Sequence, residues 1–122
     1  MNDFIKKIYI EPFRYTCYIV ITNNILESRK NKKYKLPECS YIEEPLGLHA
    51  DAGTLYSYIF IKPTSTNNII VHETYHCIRK LLRDIGAKQE EEVVAYLLAY
   101  LFEKVLKCQQ QYQTSLKDGG IK

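Results

Sequence analysis

Apolar residues recur along this chain with two different periods, and each period predicts its own kind of element. From 4 to 22 β-branched and aromatic types dominate: Ile8, Tyr9 and Ile10, then Tyr15, Thr16, Cys17, Tyr18, Ile19, Val20, Ile21 and Thr22. Such a run predicts strand. A bend or an edge position is expected at Pro12, which cannot donate to a ladder. Asn23-Asn24 closes the strand region and can cap a short helix over 25–35, which Pro37 ends. Residues 36–54 are punctuated by Pro37, Pro45, Gly47 and Gly53 and read as irregular, with a brief strand over 48–52. Residues 55–62 then alternate cleanly. Leu55, Ser57, Ile59 and Ile61 point one way, and Tyr56, Tyr58, Phe60 and Lys62 the other, until Pro63 ends the strand.

The period then changes to that of a helix. Val71, Tyr75, Ile78, Leu81, Leu82 and Ile85 form an apolar stripe over 68–85, with Asn67 or Asn68 as N-cap and Gly86 as the stop. His72, His76, Arg79 and Arg83 fall on the adjoining face. A second helix is predicted over 89–108, with Val94, Leu97, Leu98, Leu101 and Val105 on its apolar face and Glu92, Ala95 and Ala99 together on another side. The predicted class is α+β: a small antiparallel or mixed sheet packed on two main helices. One domain is expected over 1–108, with 109–122 a flexible tail that has little to bury.

Composition adds bounds rather than a function. The chain has 122 residues, 25% charged and 46% hydrophobic, which is enough for one domain with its own core. The formal net charge of +3 is small. Lys30, Lys32, Lys33 and Lys35 read as a solvated loop, and no basic stretch interleaved with aromatics suggests nucleic acid. No stretch is long and apolar enough to span a bilayer, so no membrane partner is expected. Asp3, Lys6 and Lys7 break any apolar signal segment, and the four cysteines form no C-x-x-C pair. Free thiols in the cytoplasm, without secretion, are the resulting expectation.

Chemistry concentrates in His72-Glu73-Thr74-Tyr75-His76, an H-E-x-x-H motif on the first long helix. Histidines four residues apart project from one helix face and can reach a single metal ion. Zinc suits two neutral imidazole nitrogens best. Glu73, next to the first ligand, is placed to act as general base toward water. A third ligand is expected among Glu90, Glu91 and Glu92. Small residues beside Glu92 (Ala95 and Ala99) would let the helices approach, which favours Glu92, then Glu91. A residue to stabilise the oxyanion could be Tyr96, Tyr75, His49 or Arg79, with Tyr96 preferred for its place one turn after Glu92.

Together, His72 to His76 followed by Glu92-Val93-Val94-Ala95-Tyr96 resemble the gluzincin pattern, H-E-x-x-H on one helix and E-x-x-A on the next. With Ile59 to Pro63 and Ile70-Val71 ahead of it, the stretch 48–103 is similar to small zincin-like peptidases of phage and prophage genomes. That resemblance implies a minimal zincin-like fold, zinc held by His72, His76 and Glu92, and a zinc metallopeptidase with Glu73 as base. It also implies that strand 55–62, with Tyr56, Tyr58 and Phe60, lies at the sheet edge and takes a peptide or protein substrate by main-chain pairing. A phage-encoded viral protein in the host cytoplasm would be consistent with it.

The competing expectation is a non-catalytic interaction module, zinc-binding or metal-free, that grips a phage or host protein along its edge strand. Glu73 separates the two, because a structural metal site needs no base.

Overall fold

Residues 3–11, 13–37 and 43–117 are described by a computed structural model of the chain. Strands β1 (Phe4–Ile10) and β2 (Tyr15–Ile21) form an antiparallel hairpin, with Phe4 opposite Ile21 and Ile10 opposite Tyr15. Helix α1 (Ile25–Arg29) follows, and Asn24 caps it by accepting a hydrogen bond from the Glu27 N–H at 3.1 Å. The predicted helix over 25–35 is therefore α1 plus a separate 3₁₀ turn at Lys32–Tyr34. Strands β3 (Gly47–Gly53) and β4 (Tyr56–Ile61) make a second antiparallel hairpin. The bend expected at Pro12 lies outside the described residues.

The sheet is mixed, in the order β1-β2-β4-β3, because β4 pairs with β2 in parallel. This corrects the expected place of the 55–62 strand, since β4 is internal and β3 is the edge. The physical reason is that β4 is apolar on both faces. Ile59 and Ile61 join one buried cluster, while Tyr58 and Phe60 join another across the sheet. A strand with no wet face needs neighbours and cover on every side. Tyr56, Tyr58 and Phe60 thus face a layer formed with Tyr18, Tyr34 and Leu48, not a substrate channel.

Helices α2 (Asn67–Asp84) and α3 (Glu91–Lys117) cover the other face. α2 lies over β4 and β3, and α3 over β2 and β1. The N-cap of α2 is Thr66 rather than Asn67 or Asn68, and Thr66 makes no side-chain cap bond. The buried stripe of α2 is also turned from the expected one. Ile70, Thr74, Cys77, Ile78, Leu81 and Leu82 are buried, while Val71, Tyr75 and Ile85 are more than a third exposed. The buried Thr74 hydroxyl is satisfied by donating to the Val71 carbonyl at 2.9 Å and Cys77 lies against Cys17 and Ser57, and neither residue marks an apolar stripe in the sequence.

At the end of α2 the chain reverses through Gly86, whose φ of +72° is left-handed. The Gly86 N–H donates to the Arg83 carbonyl at 3.1 Å and the Ala87 N–H to the Leu82 carbonyl at 2.9 Å, closing the helix. α3 then runs to Lys117, past the expected end near 108. Gln109 donates to the carbonyls of Lys62 (3.3 Å) and Ser65 (2.9 Å), Gln113 donates to that of Pro63 (2.8 Å), and Tyr112 packs edge-on against Phe4. These side chains hold residues 109–113 of the stretch assigned to a tail, and the helix continues to Lys117. No helix among the described residues is long and apolar enough to cross a membrane.

Candidate metal centre

The motif occupies the N-terminal half of α2. The helix repeat stacks His72 and His76 one turn apart, and their Nε2 atoms stand 3.2 Å from each other. Two nitrogens on a tetrahedral zinc, each at about 2.0–2.1 Å, would stand roughly 3.3 Å apart. The imidazole pair therefore fits a shared zinc. The Glu73 carboxylate lies with them, all three ligand atoms falling within 4.8 Å of one another. Both imidazoles are exposed, whereas Glu73 is only 7% exposed.

Strand β3 makes the opposite wall. Gly47 passes so close to α2 that an added Cβ would meet Ile69 Cγ2 at 2.7 Å and Glu73 Cγ at 3.1 Å. This is a close approach that only glycine permits. An open depression of about 390 Å³, lined by Leu46, Gly47, Asn68, Ile69, His72 and Glu73, lies beside the motif. Two residues further along β3, the His49 ring lies 6.3 Å from that of His76, with the planes 23° apart. His49 Nε2 is one of two buried side-chain nitrogens without a hydrogen-bond partner among the described residues. Leaving such an atom unpaired costs about 1–3 kcal/mol.

A buried cation fastens the far end of β3 to the same helix. Lys80 is 2% exposed, donates to the Gly53 carbonyl at 2.6 Å, pairs with Asp51 at 3.4 Å, and also pairs with Asp84. Asp84 in turn accepts the Leu55 N–H at 3.0 Å. The β3–β4 turn is thus tied to the last turns of α2, which fixes how β3 crosses beside the histidines.

Electrostatics prepares the two kinds of group differently. Burial raises the Glu73 pKa above its ordinary value, against the opposing charges of His72 and His49 and a hydrogen bond from the His49 backbone. Burial lowers that of His76, helped by His72, His49 and Arg79. The shift favours the neutral form of His76, the one that binds a metal.

The remaining predicted site residues lie elsewhere. Glu92 is exposed and lines a groove on α3 with Ile10, Glu11, Phe13, Tyr96 and Tyr100. The short connection over 85–90 sets the first turn of α3 level with the last turns of α2. From His72 to Asp84 that helix rises roughly 18 Å, at about 1.5 Å per residue. α3 also lies on the β1–β2 side of α2, while the imidazoles face His49 of β3. The fold therefore does not bring Glu92 to the histidine pair. Tyr96 is 76% exposed in the same groove, away from it. Glu91 is likewise exposed. Tyr75 does sit beside His76, at 6.3 Å between rings, and accepts a hydrogen bond from Arg79 at 2.7 Å.

The sequence offered His49 only as one of four candidates to stabilise the oxyanion, and strand alternation turns it away from the Leu48 and Ala50 face. Its place beside His76 and the roles of Gly47 and Lys80 were not visible there. No protein family, curated protein or solved structure matches the chain.

Proposed function

We propose that this chain is a zinc-dependent hydrolase acting on peptide bonds, with His72 and His76 holding the metal and Glu73 as general base. The observation that carries the reading is the pair of imidazole nitrogens 3.2 Å apart with the Glu73 carboxylate beside them. Zinc bound there would supply Lewis acidity, polarising a scissile carbonyl and acidifying water. Glu73 would take a proton from the attacking water and deliver it to the leaving amine. Burial that raises the Glu73 pKa above its ordinary value makes it a stronger base for the first transfer. Among the described residues β3 pairs with β4 alone, so its outer edge could receive an extended peptide next to the imidazoles. The zincin-like arrangement is supported by the motif helix packed beside an edge strand, though that strand is β3.

The non-catalytic reading keeps one observation in its favour: Glu92, which the gluzincin resemblance made a ligand, faces away. Elemental analysis of the purified protein, joined to a peptide-library assay, tests both. Zinc near one equivalent with turnover lost in Glu73→Gln supports the enzyme. Zinc bound without turnover supports the binding module. Failure to take up zinc on reconstitution overturns both metal readings.

A further inference from the structure

The fold leaves the third protein ligand open, and it also offers a replacement. Resting on the metal reading above, we infer that His49 of β3 completes the zinc site in place of Glu92, giving a three-histidine centre that spans the edge strand and α2. The chain contains three histidines in all, and the fold gathers every one of them into this patch. His49 comes from a strand separated in sequence from the motif, so the helix repeat did not put it there.

Its ring has a buried, unpartnered Nε2, an atom that accepts a metal once the other ring nitrogen holds the proton. The ring is 6.3 Å from that of His76, compared with 4.7 Å between His72 and His76. Two imidazoles on one tetrahedral zinc would place their centres roughly 5 Å apart. The His49 ring must therefore turn toward the pair to reach the metal, since the ligand atoms already within 4.8 Å of one another are those of His72, Glu73 and His76. The backbone on both sides of His49 is already fixed, by the approach of Gly47 to Glu73 and by Lys80 gripping Asp51 and Gly53. With His49 as ligand, Glu73 stays free to act as the base.

Nitrogen NMR of the uniformly labelled full chain, titrated with zinc chloride alone, tests this directly. Three histidines give three sets of imidazole resonances. Saturation at one equivalent, with a ring nitrogen of all three moving to metal-bound shifts, is the expected result. His49→Gln should then weaken zinc binding, measured by competition with a chelating dye, by about 100-fold or more, while Glu92→Ala stays within about twofold. The wild-type spectrum does not depend on how the variants fold, and circular dichroism of His49→Gln checks that variant. If only the His72 and His76 resonances move, the inference is overturned and the two-histidine reading stands. If none moves, both fall.

Discussion

Glu73 and Glu92 are the two carboxylates that the sequence ties to the histidine motif, and the fold treats them in opposite ways. Glu73 is wedged between α2 and β3, almost without solvent, beside the two imidazoles. Glu92 stands in water on the outer side of α3, among Phe13, Tyr96 and Tyr100. Both belong to helices, and both lie near small or polar neighbours in sequence. What separates them is which flank of α2 they meet. One flank faces an edge strand that passes close at Gly47. The other faces a helix whose register is set by a tight reversal at Gly86. A carboxylate acquires unusual chemistry where packing removes its water, not where a motif mentions it.

Substitutions can break or sharpen that contrast. The largest effect is expected on the rate of peptide hydrolysis: Glu73→Gln should lower kcat by about 10²–10⁴-fold while zinc stays bound, and Glu92→Gln should change it little. Steady-state kinetics with metal analysis on both variants checks this, and equal losses would erase the distinction. Next, Lys80→Ala leaves Asp84 and Asp51 without their buried cation. Denaturant unfolding should show a loss of about 3–5 kcal/mol, accompanied by weaker zinc binding because β3 is no longer held to α2.

On the other flank, Leu101→Ala opens a cavity in α3, where Leu101 is fully buried. A loss of about 2–5 kcal/mol is expected by the same measurement, this time with zinc affinity unchanged in the folded protein. Gly47→Ala should cost about 1–3 kcal/mol, as its new methyl group displaces Ile69 and Glu73. It should also reduce hydrolysis more than stability alone explains, which a comparison of kcat at low temperature would detect.

The smallest effect concerns acid. Burial would raise the Asp84 pKa, but the Lys80 hydrogen bond, the Leu55 N–H and the charges of Lys80 and Arg83 outweigh it and hold it below the ordinary value. A carboxyl lowered in the folded state adds stability above its unfolded pKa of about 3.9 and loses it as pH falls through the folded one. The melting-temperature gap between wild type and Asp84→Asn should therefore be constant near neutrality and shrink below about pH 4. A gap that persists unchanged in acid would mean the clamp is not electrostatic.

Most of the architecture could be read from the chain because it follows from local periods. Alternation marked β4, helical spacing marked α2 and α3, Gly86 marked the reversal, and Asn24 marked the cap of α1. The pairing of His72 with His76 was equally local, since one helical turn joins them. Pairing order was not local. That β4 lies inside the sheet depends on β2 joining it in parallel, a contact across 39 intervening positions that no period encodes. The extent of α3 depended on Gln109 and Gln113 finding carbonyls in the loop between β4 and α2, and polar side chains announce no such partner.

The sequence by itself thus determined the elements, the two-histidine face and the carboxylate between them, because 3.6-residue and two-residue repeats fix which side chains share a face. Only the tertiary structure decided which carboxylate loses its water, that β3 rather than β4 forms the free edge, and that His49 joins the other two histidines. Those outcomes are set by strand order and by which flank of a helix each neighbour covers, and both are products of the whole core packing at once.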